Sequence, residues 1–411
     1  MSTGYELHQR LRTKTVRLLK KKDYPQAVSV LHTGALELLR QKEQGSGCDL
    51  GVYMIDVYEQ SNAQSDDITR GRIVEILDLT APDFWRKKLV DAALKWSAKS
   101  TGQAGGDSAL RLSIGKLYAR EGDYHVAEPH LLAACLKGDA ASQQGGAQKD
   151  AGVTDASIPT TLAEVESNWL QKHAEASAQQ NGERRSQAVL ERLEAGKFAL
   201  RALLPLLAQR ALTASQAFLS NFTQLVTKRN STLLIPIQPN PKPYAPPAAL
   251  ANIPSALPTL NIYVTSNPDL NFAQMALGLV SQASGQKSNR RGPVPIELRN
   301  AWIHLVRQYQ REAGEYFEEE EYVGDALTII SSVYFDIAPP RAQGNMLQDM
   351  MSSLFGGAPS GGSGASQPQS LNLRQARPPV LPKVENPPPA PAAVEAAPAA
   401  PAPALEEEEL D

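Results

Sequence analysis

Between Asp23 and Gln60 the chain carries two consecutive stretches whose apolar residues recur at helical spacing, one narrow stripe in each. Val28, Leu31, Ala35, Leu38 and Leu39 fall at i, i+3, i+7, i+10 and i+11, one face of a 3.6-residue repeat. Leu50, Met54, Val57 and Tyr58 repeat the pattern and leave Asp49, Asp56, Glu59 and Gln60 for the opposite face. The spacing predicts two helices turning at Gly45, Ser46 and Gly47. A pair with one stripe per helix cannot cover both stripes by itself. It demands further helices stacked against it, which is the logic of an α-solenoid.

The rest of the first third supplies those neighbours. Leu7, Leu11, Leu18 and Leu19 mark a first helix that ends in Lys20, Lys21 and Lys22, where cations offset the negative end of the helix dipole. Asp66 or Asp67 can cap a helix containing Ile73, Val74 and Leu77, and Pro82 suits the first turn of the next. Trp85, Leu89, Ala92 and Trp96 share a face of that helix, and Leu110, Ile114, Leu117 and Tyr118 share a face of another, which stops at Gly122. The Asp-Tyr-x-x-Ala pattern of Asp23, Tyr24 and Ala27 recurs at Asp123, Tyr124 and Ala127. No period of about 34 residues accompanies it, so the repetition is one of structure and not of a strict tetratricopeptide motif.

Two segments will not pack. Residues 137–160 hold almost no large apolar side chain and read as a disordered insertion. From Ala358 the chain is Gly/Ser-rich, then Pro/Ala-rich, and it closes on Glu406 to Glu409. Burial cannot offset the ordering entropy of such a tail. Four Lys/Arg and eight Asp/Glu lie in residues 341–411, so the total of −3 leaves a nearly neutral body, which argues against binding nucleic acid by phosphate neutralisation. No run approaches a membrane span and no signal-peptide core opens the chain. The two cysteines, Cys48 and Cys135, fall in apolar helix faces and read as buried free thiols of a reducing compartment. The expectation is a cytosolic protein.

Helix resumes in the second half. Leu162, Val165, Trp169 and Leu170 form a short amphipathic segment, followed by a polar stretch to Ser186. Leu190 to Leu204 and Ala211 to Val226 form two strongly apolar helices, with a kink or break at Pro205. Eight prolines between Pro236 and Pro258 exclude helix there. Leu260 to Val264 is the best strand candidate, and its backbone groups need partners from the preceding loop or from another polypeptide. A capped helix with Leu270, Phe272, Met275, Leu277 and Leu279 follows, then two more that end before Pro339. Met346, Leu347, Met350, Met351, Leu354 and Phe355 form a last stripe, which either docks back as a helix or serves as a partner-binding motif. The organisation is therefore all-α: an N-terminal solenoid half (1–136), an insertion (137–160), a C-terminal half with a small β-hairpin (161–340), an apolar motif (341–357) and a tail (358–411).

The search for chemistry is negative. There is no phosphate loop, since Gly115-Lys116 is followed by Leu117, and no dinucleotide fingerprint, H-E-x-x-H, C-x-x-C or G-x-S-x-G. His125, Glu128 and His130 are the nearest approach to a metal set, but histidines at i and i+5 do not share a helical face. Asp66 and Asp67 suit a helix cap and dipole partner better than an acid–base pair, and Glu318 to Glu321 suit a solvated face. The chain reads as a non-catalytic scaffold with no cofactor.

The stretch YPQAVSVLHTGALELLRQKEQGSGCDLGVYMIDVYEQ (24–60), SDDITRGRIVEIL (65–77), the surroundings of Trp96 and REGDYHVAEPHLL (120–132) resemble the Golgi-to-ER traffic protein 4 family. So do NPDLNFAQ (267–274) and YFDIAPPRAQGNMLQDMMSSLFGG (334–357), so that the resemblance covers residues 5–357. The insertion, the proline-rich loop and the acidic tail are departures from the family's shared pattern. The resemblance implies a helical solenoid without catalytic activity that bridges two partners so that tail-anchored membrane proteins can reach the endoplasmic reticulum. One is a dimeric targeting ATPase on the N-terminal half, and for it the expected contacts are His8, Arg12, Asp66, Asp67 and Arg72. The other is a ubiquitin-like adaptor on the C-terminal half, with Ile262, Tyr263, Val264, Leu270 and Phe272 as expected contacts. Each charged residue would look the same on an ordinary solvated face, and each apolar one in an ordinary core. The rival reading is a tetratricopeptide-like or proteasome-lid-like subunit of another assembly. Such a subunit carries a winged-helix or strand-rich module, and none is visible.

Overall fold

A computed structural model describes residues 4–136, 157–180, 186–257, 260–288, 293–319 and 321–338. Among them are thirteen α-helices. The N-terminal seven are α1 (Gly4–Lys20), α2 (Tyr24–Arg40), α3 (Gln44–Gln60), α4 (Asp67–Leu77), α5 (Phe84–Thr101), α6 (Ser108–Arg120) and α7 (Tyr124–Cys135). The others are α8 (Ser157–Gln180), α9 (Gln187–Ala208), α10 (Leu212–Arg229), α11 (Pro268–Ser288), α12 (Ile296–Glu319) and α13 (Glu321–Phe335). Successive helices pack together, and so do alternate ones: α1 on α3 on α5, α2 on α4 on α6 on α8, and α7 on α9 on α11 on α13. That is the two-layered stack the single stripes require, an α-solenoid.

The turns that fold this stack recur. Lys22, Lys42, Asn62 and Arg210 take left-handed backbone (φ 53 to 65°), and Gly122 does so at φ 80°. In each, the next residue's N–H reaches back five residues, as Asp23 to the Leu18 carbonyl at 3.0 Å and Glu43 to that of Leu38 at 2.9 Å. These are Schellman C-caps, which satisfy carbonyls that a helix end leaves open. Asp23 and Asp123 then stand at the N-caps of α2 and α7, and Ala27 and Ala127 are fully buried one turn on. The recurrent Asp-Tyr-x-x-Ala string is thus a turn followed by a small residue at a close helix crossing.

The turn expected at Gly45 to Gly47 lies four residues earlier, at Gln41 to Glu43, and the glycines belong to the first turn of α3. Their smallness serves packing. A Cβ on Gly47 would stand 2.6 Å from Leu39 of α2, and one on Gly45 would stand 3.3 Å from the Trp85 ring of α5.

Further along, α8 begins at Ser157, inside the expected insertion, and runs through the polar stretch to Gln180 because Ala174 and Ala176 keep a buried face there. Pro205 does not break α9. It cannot donate to the Arg201 carbonyl one turn back, and the Tyr322 hydroxyl of α13 donates to that carbonyl instead, at 3.1 Å. From Ala195 to Ala208 nearly every α9 residue is buried, the mark of a helix surrounded on all sides: α7, α8, α10, α11 and α13 pack around it. The boundary at 137–160 is therefore one of composition, for the helices on its two sides share a single core. Cys48 and Cys135 are free and buried, as expected. The apolar motif 345–357 and the tail lie outside the described residues.

Two candidate interaction surfaces

At the N-terminal end, the apolar stripe of α1 turns Leu7 inward and leaves His8 and Arg12, one turn apart, pointing at α3. His8 Nε2 lies 2.8 Å and Arg12 Nη1 2.6 Å from the same Asp49 Oδ2, and the Arg12 guanidinium sits 5.3 Å above the Tyr53 ring. Asp49 gathers the two side chains. The periodicity had left it as one more polar-face residue.

Asp66 is occupied differently. It is the N-cap of α4, accepting from the Ile68 and Thr69 N–H groups at 3.0 and 2.8 Å, while the Thr69 hydroxyl closes a capping box on the Asp66 N–H. Bonds from Thr69, backbone and hydroxyl, hold its carboxyl below the usual range. Asp67, its side chain 96 % exposed, pairs with Arg70. Arg70 also reaches Asp107 at 2.7 Å, the N-cap of α6, which accepts from Ser65 Oγ at 2.6 Å. Burial alone would raise the Asp107 carboxyl, but Ser65, the Leu110 N–H and Arg70 outweigh it and lower it. Arg72 is half-buried beside Tyr58 and His32. Of the five expected contacts, then, the structure brings His8 and Arg12 together, leaves Asp67 outward, and commits Asp66 and Arg72 to local structure.

In the C-terminal half a hairpin does form: β1 (Lys242–Pro243) pairs antiparallel with β2 (Asn261–Ile262). It is shorter than the Leu260–Val264 strand, and its backbone is not short of partners. Gln274 takes the Tyr263 N–H at 2.7 Å and returns a bond to the Tyr263 carbonyl at 2.9 Å. Asn240 does the same for Val264 (3.0 and 3.0 Å), and Asn271 for Thr265 (3.1 and 2.8 Å). Three side-chain carboxamides thus stand where neighbouring strands would. The only trace of them in sequence is polarity out of place, such as Gln274 amid Phe272, Ala273, Met275 and Ala276.

Ile262, Tyr263 and Val264 are part-exposed. With Leu219, Thr223 and Leu277, Ile262 and Tyr263 line a shallow groove between α10, the hairpin and α11. Ile235 and Ile237 are exposed nearby, the former bonding the Val264 carbonyl. Leu270 and Phe272, by contrast, belong to the core: both are buried, and Phe272 stacks on Tyr309 at 4.1 Å. They face the interior because α11 starts directly on α9. Replacing Gln274 by Leu, which keeps its volume but leaves two part-buried backbone groups unpaired, is expected to cost about 2–4 kcal/mol in urea unfolding and to speed amide exchange at 261–265. A cost below about 0.5 kcal/mol would mean the carboxamide contributes little.

No metal constellation arises from His125, Glu128 and His130. His125 pairs with Asp123 at 2.9 Å, Glu128 is buried against Arg201, and His130 stacks on Tyr118, with burial and the nearby Arg111 pushing it down to about 4. Among the described residues no group of three His, Cys, Asp or Glu could hold a metal ion, and no helix is long and apolar enough to cross a membrane.

The family model described as Golgi to ER traffic protein 4 matches residues 21–355, which take in Asp49, α4 and the hairpin groove and begin just after α1. The chain belongs to the Golgi to ER traffic protein 4 family. It is similar to the Golgi to ER traffic protein 4 of Aspergillus fumigatus, with 28 % identity over 375 residues that cover 87 % of each chain. It is also similar to that of Schizosaccharomyces pombe, with 25 % identity covering 86 % of this chain and 92 % of the relative. The crystal structure of C. therm. Get4 matches with a TM-score of 0.59 and 26 % identity, over 87 % of this chain and 90 % of that one. Membership in the Golgi to ER traffic protein 4 family gives the chain a role in the GET pathway.

Proposed function

We propose that this chain is a non-catalytic cytosolic adaptor that holds a targeting ATPase on its N-terminal helices and a ubiquitin-like adaptor on its C-terminal half, so that tail-anchored proteins pass from one to the other. The observation that carries this reading is the pairing of two unlike surfaces on one stack: a charged one on α1 and α4, and a part-apolar groove beside the hairpin. A charged rim sets association rate and salt dependence, whereas an apolar groove sets residence time.

The test uses the full chain with each partner in purified form. Arg12→Glu with Asp67→Lys is expected to weaken ATPase capture by about tenfold or more at low salt and to leave the adaptor complex intact. Asp66 is kept, because its cap holds α4. Ile262→Asp with Tyr263→Ala is expected to do the reverse and raise the adaptor's dissociation rate about 30-fold, the loss typical of a strong contact residue. Loss of both partners on substitution of one half would overturn the bridge.

A further inference from the structure

The exposed side of α1 carries a line of cations. Arg10, Lys14 and Arg17, continued by Lys21 in the turn, fall at i, i+4, i+7 and i+11, a straight stripe along one face. All four are exposed, and among the described residues none has a carboxylate within ion-pairing distance; on α1 it is Arg12, round the helix from the stripe, that holds Asp49. Elsewhere some exposed cations are answered locally, as Lys99 with Glu59, Arg120 with Asp78 and Lys172 with Glu175, while Lys87, Lys95 and Lys116 have no ion pair among the described residues; what sets α1 apart is four such cations in one line.

The chain also contains the complementary element. Glu406 to Glu409 and Asp411 place five carboxylates in six residues, with no cation among them. Eleven residues of helix run about 16 Å, and six residues of extended chain span about 20 Å, so the two charge arrays match in length as well as sign. Reach is ample: the 68 residues from Ala338 to Glu406 can span up to about 230 Å, against about 70 Å for seven helices side by side.

We propose that the acidic segment Glu406–Asp411 docks on the α1 cation stripe of its own chain. The contact is electrostatic and solvent-exposed, so it strengthens at low salt and fades as the screening length drops from about 10 Å at 0.1 M towards 3 Å at 1 M. Docking covers the helix to which the ATPase is assigned above, and any partner there must displace the segment first; that consequence rests on the proposed function, while the docking does not.

The experiment is carbodiimide cross-linking of the dilute full-length chain, which joins lysine amines directly to carboxylates, with peptide mapping of the monomer. Links between Lys14, Lys20, Lys21 or Lys22 and residues 406–411 are expected at low salt and are expected to vanish at 0.5 M salt. Arg10→Glu with Arg17→Glu reverses the stripe while keeping every lysine that reports on it, and should cut the yield roughly fivefold or more at unchanged circular dichroism. Equal yields in that variant, links spread evenly to Lys87, Lys95 and Lys116, or links found only between copies would overturn the docking. In a separate arm, Glu406–Glu409→Gln should raise ATPase capture at low salt. If capture is unchanged while the α1 links are present, the docking stands and the assignment of the ATPase to α1 fails.

Discussion

Replacing Arg201 by Met is expected to destabilise the protein by about 3–5 kcal/mol, the usual consequence of removing one partner from a buried ion pair. Arg201 Nε and Nη2 lie 2.8 and 2.6 Å from Glu128 Oε2, and the guanidinium sits 4.9 Å above the Trp169 ring. Glu128 comes from α7, Trp169 from α8 and Arg201 from α9, so one cation ties three helices. Glu166, also on α8, is fully buried with no hydrogen-bond partner for either oxygen among the described residues. Burial first, and the Glu128 charge second, raise its carboxyl well above the ordinary value, against a smaller pull from Arg201.

Glu166→Gln separates charge from packing. In the folded protein Glu166 keeps its proton at pH values where the unfolded chain, with an ordinary carboxyl near 4.5, has lost it. Below that pH both states are protonated and nothing is lost. As pH rises from about 4.5 towards the raised folded value, the unfolded state gains by ionising and stability declines. Asp269, which burial pushes up to about 6, adds a decline of the same sign between about 4 and 6. The glutamine variant should remove the Glu166 part, so urea midpoints for the two proteins should agree near pH 4 and separate, the variant higher, towards pH 8. A separation that grows as pH falls would show that Glu166 is ionised in the fold.

Gly196→Ala is expected to cost about 3 kcal/mol or more, a large penalty for a single methyl, because the crowding atoms include backbone and cannot move aside. A Cβ there would lie 2.3 Å from Asn267 Oδ1, 2.3 Å from Asp269 Cβ and 2.6 Å from the Leu270 nitrogen. Those atoms are the start of α11. Asn267 caps it, accepting from the Leu270 N–H at 2.8 Å, and its amide bonds the Arg192 and Leu193 carbonyls of α9 at 2.9 and 3.0 Å. Displacing this junction also displaces Asn271 and Gln274, which hold the hairpin. Thermal unfolding should show the loss, and amide exchange at 260–265 should rise with it. Gly71→Ala, where nothing lies within 4 Å, is the control expected to be neutral or mildly stabilising.

What could be read in the sequence was what repeats along it. The stripes of α2 and α3 are periodic, so helices, layers and the solenoid followed from spacing alone. Helix ends were harder, because Lys22, Lys42, Asn62 and Arg210 carry left-handed backbone without glycine, and Gly45 and Gly47 drew the turn into a helix that needs them for close approach. The polar second half of α8 was missed because alanines pack without announcing a stripe. The sites were less legible still. Asp49 serves His8 and Arg12 from 41 and 37 residues away, and Asn240 meets Val264 across 24; such pairings depend on the finished fold. Leu270 and Phe272 read equally well as core or contact, and only the placement of α11 on α9 decides for the core.

The encirclement of α9 by helices from both halves has a consequence for a bridge. Two binding sites joined by a tether meet at a range of distances, and the tether's length sets how often they come close. Two sites built on a stack with one shared core are held at a single distance and a single mutual orientation. Whatever is passed between their occupants must then fit that gap, so the stack would act as a gauge of what travels across it as well as a support.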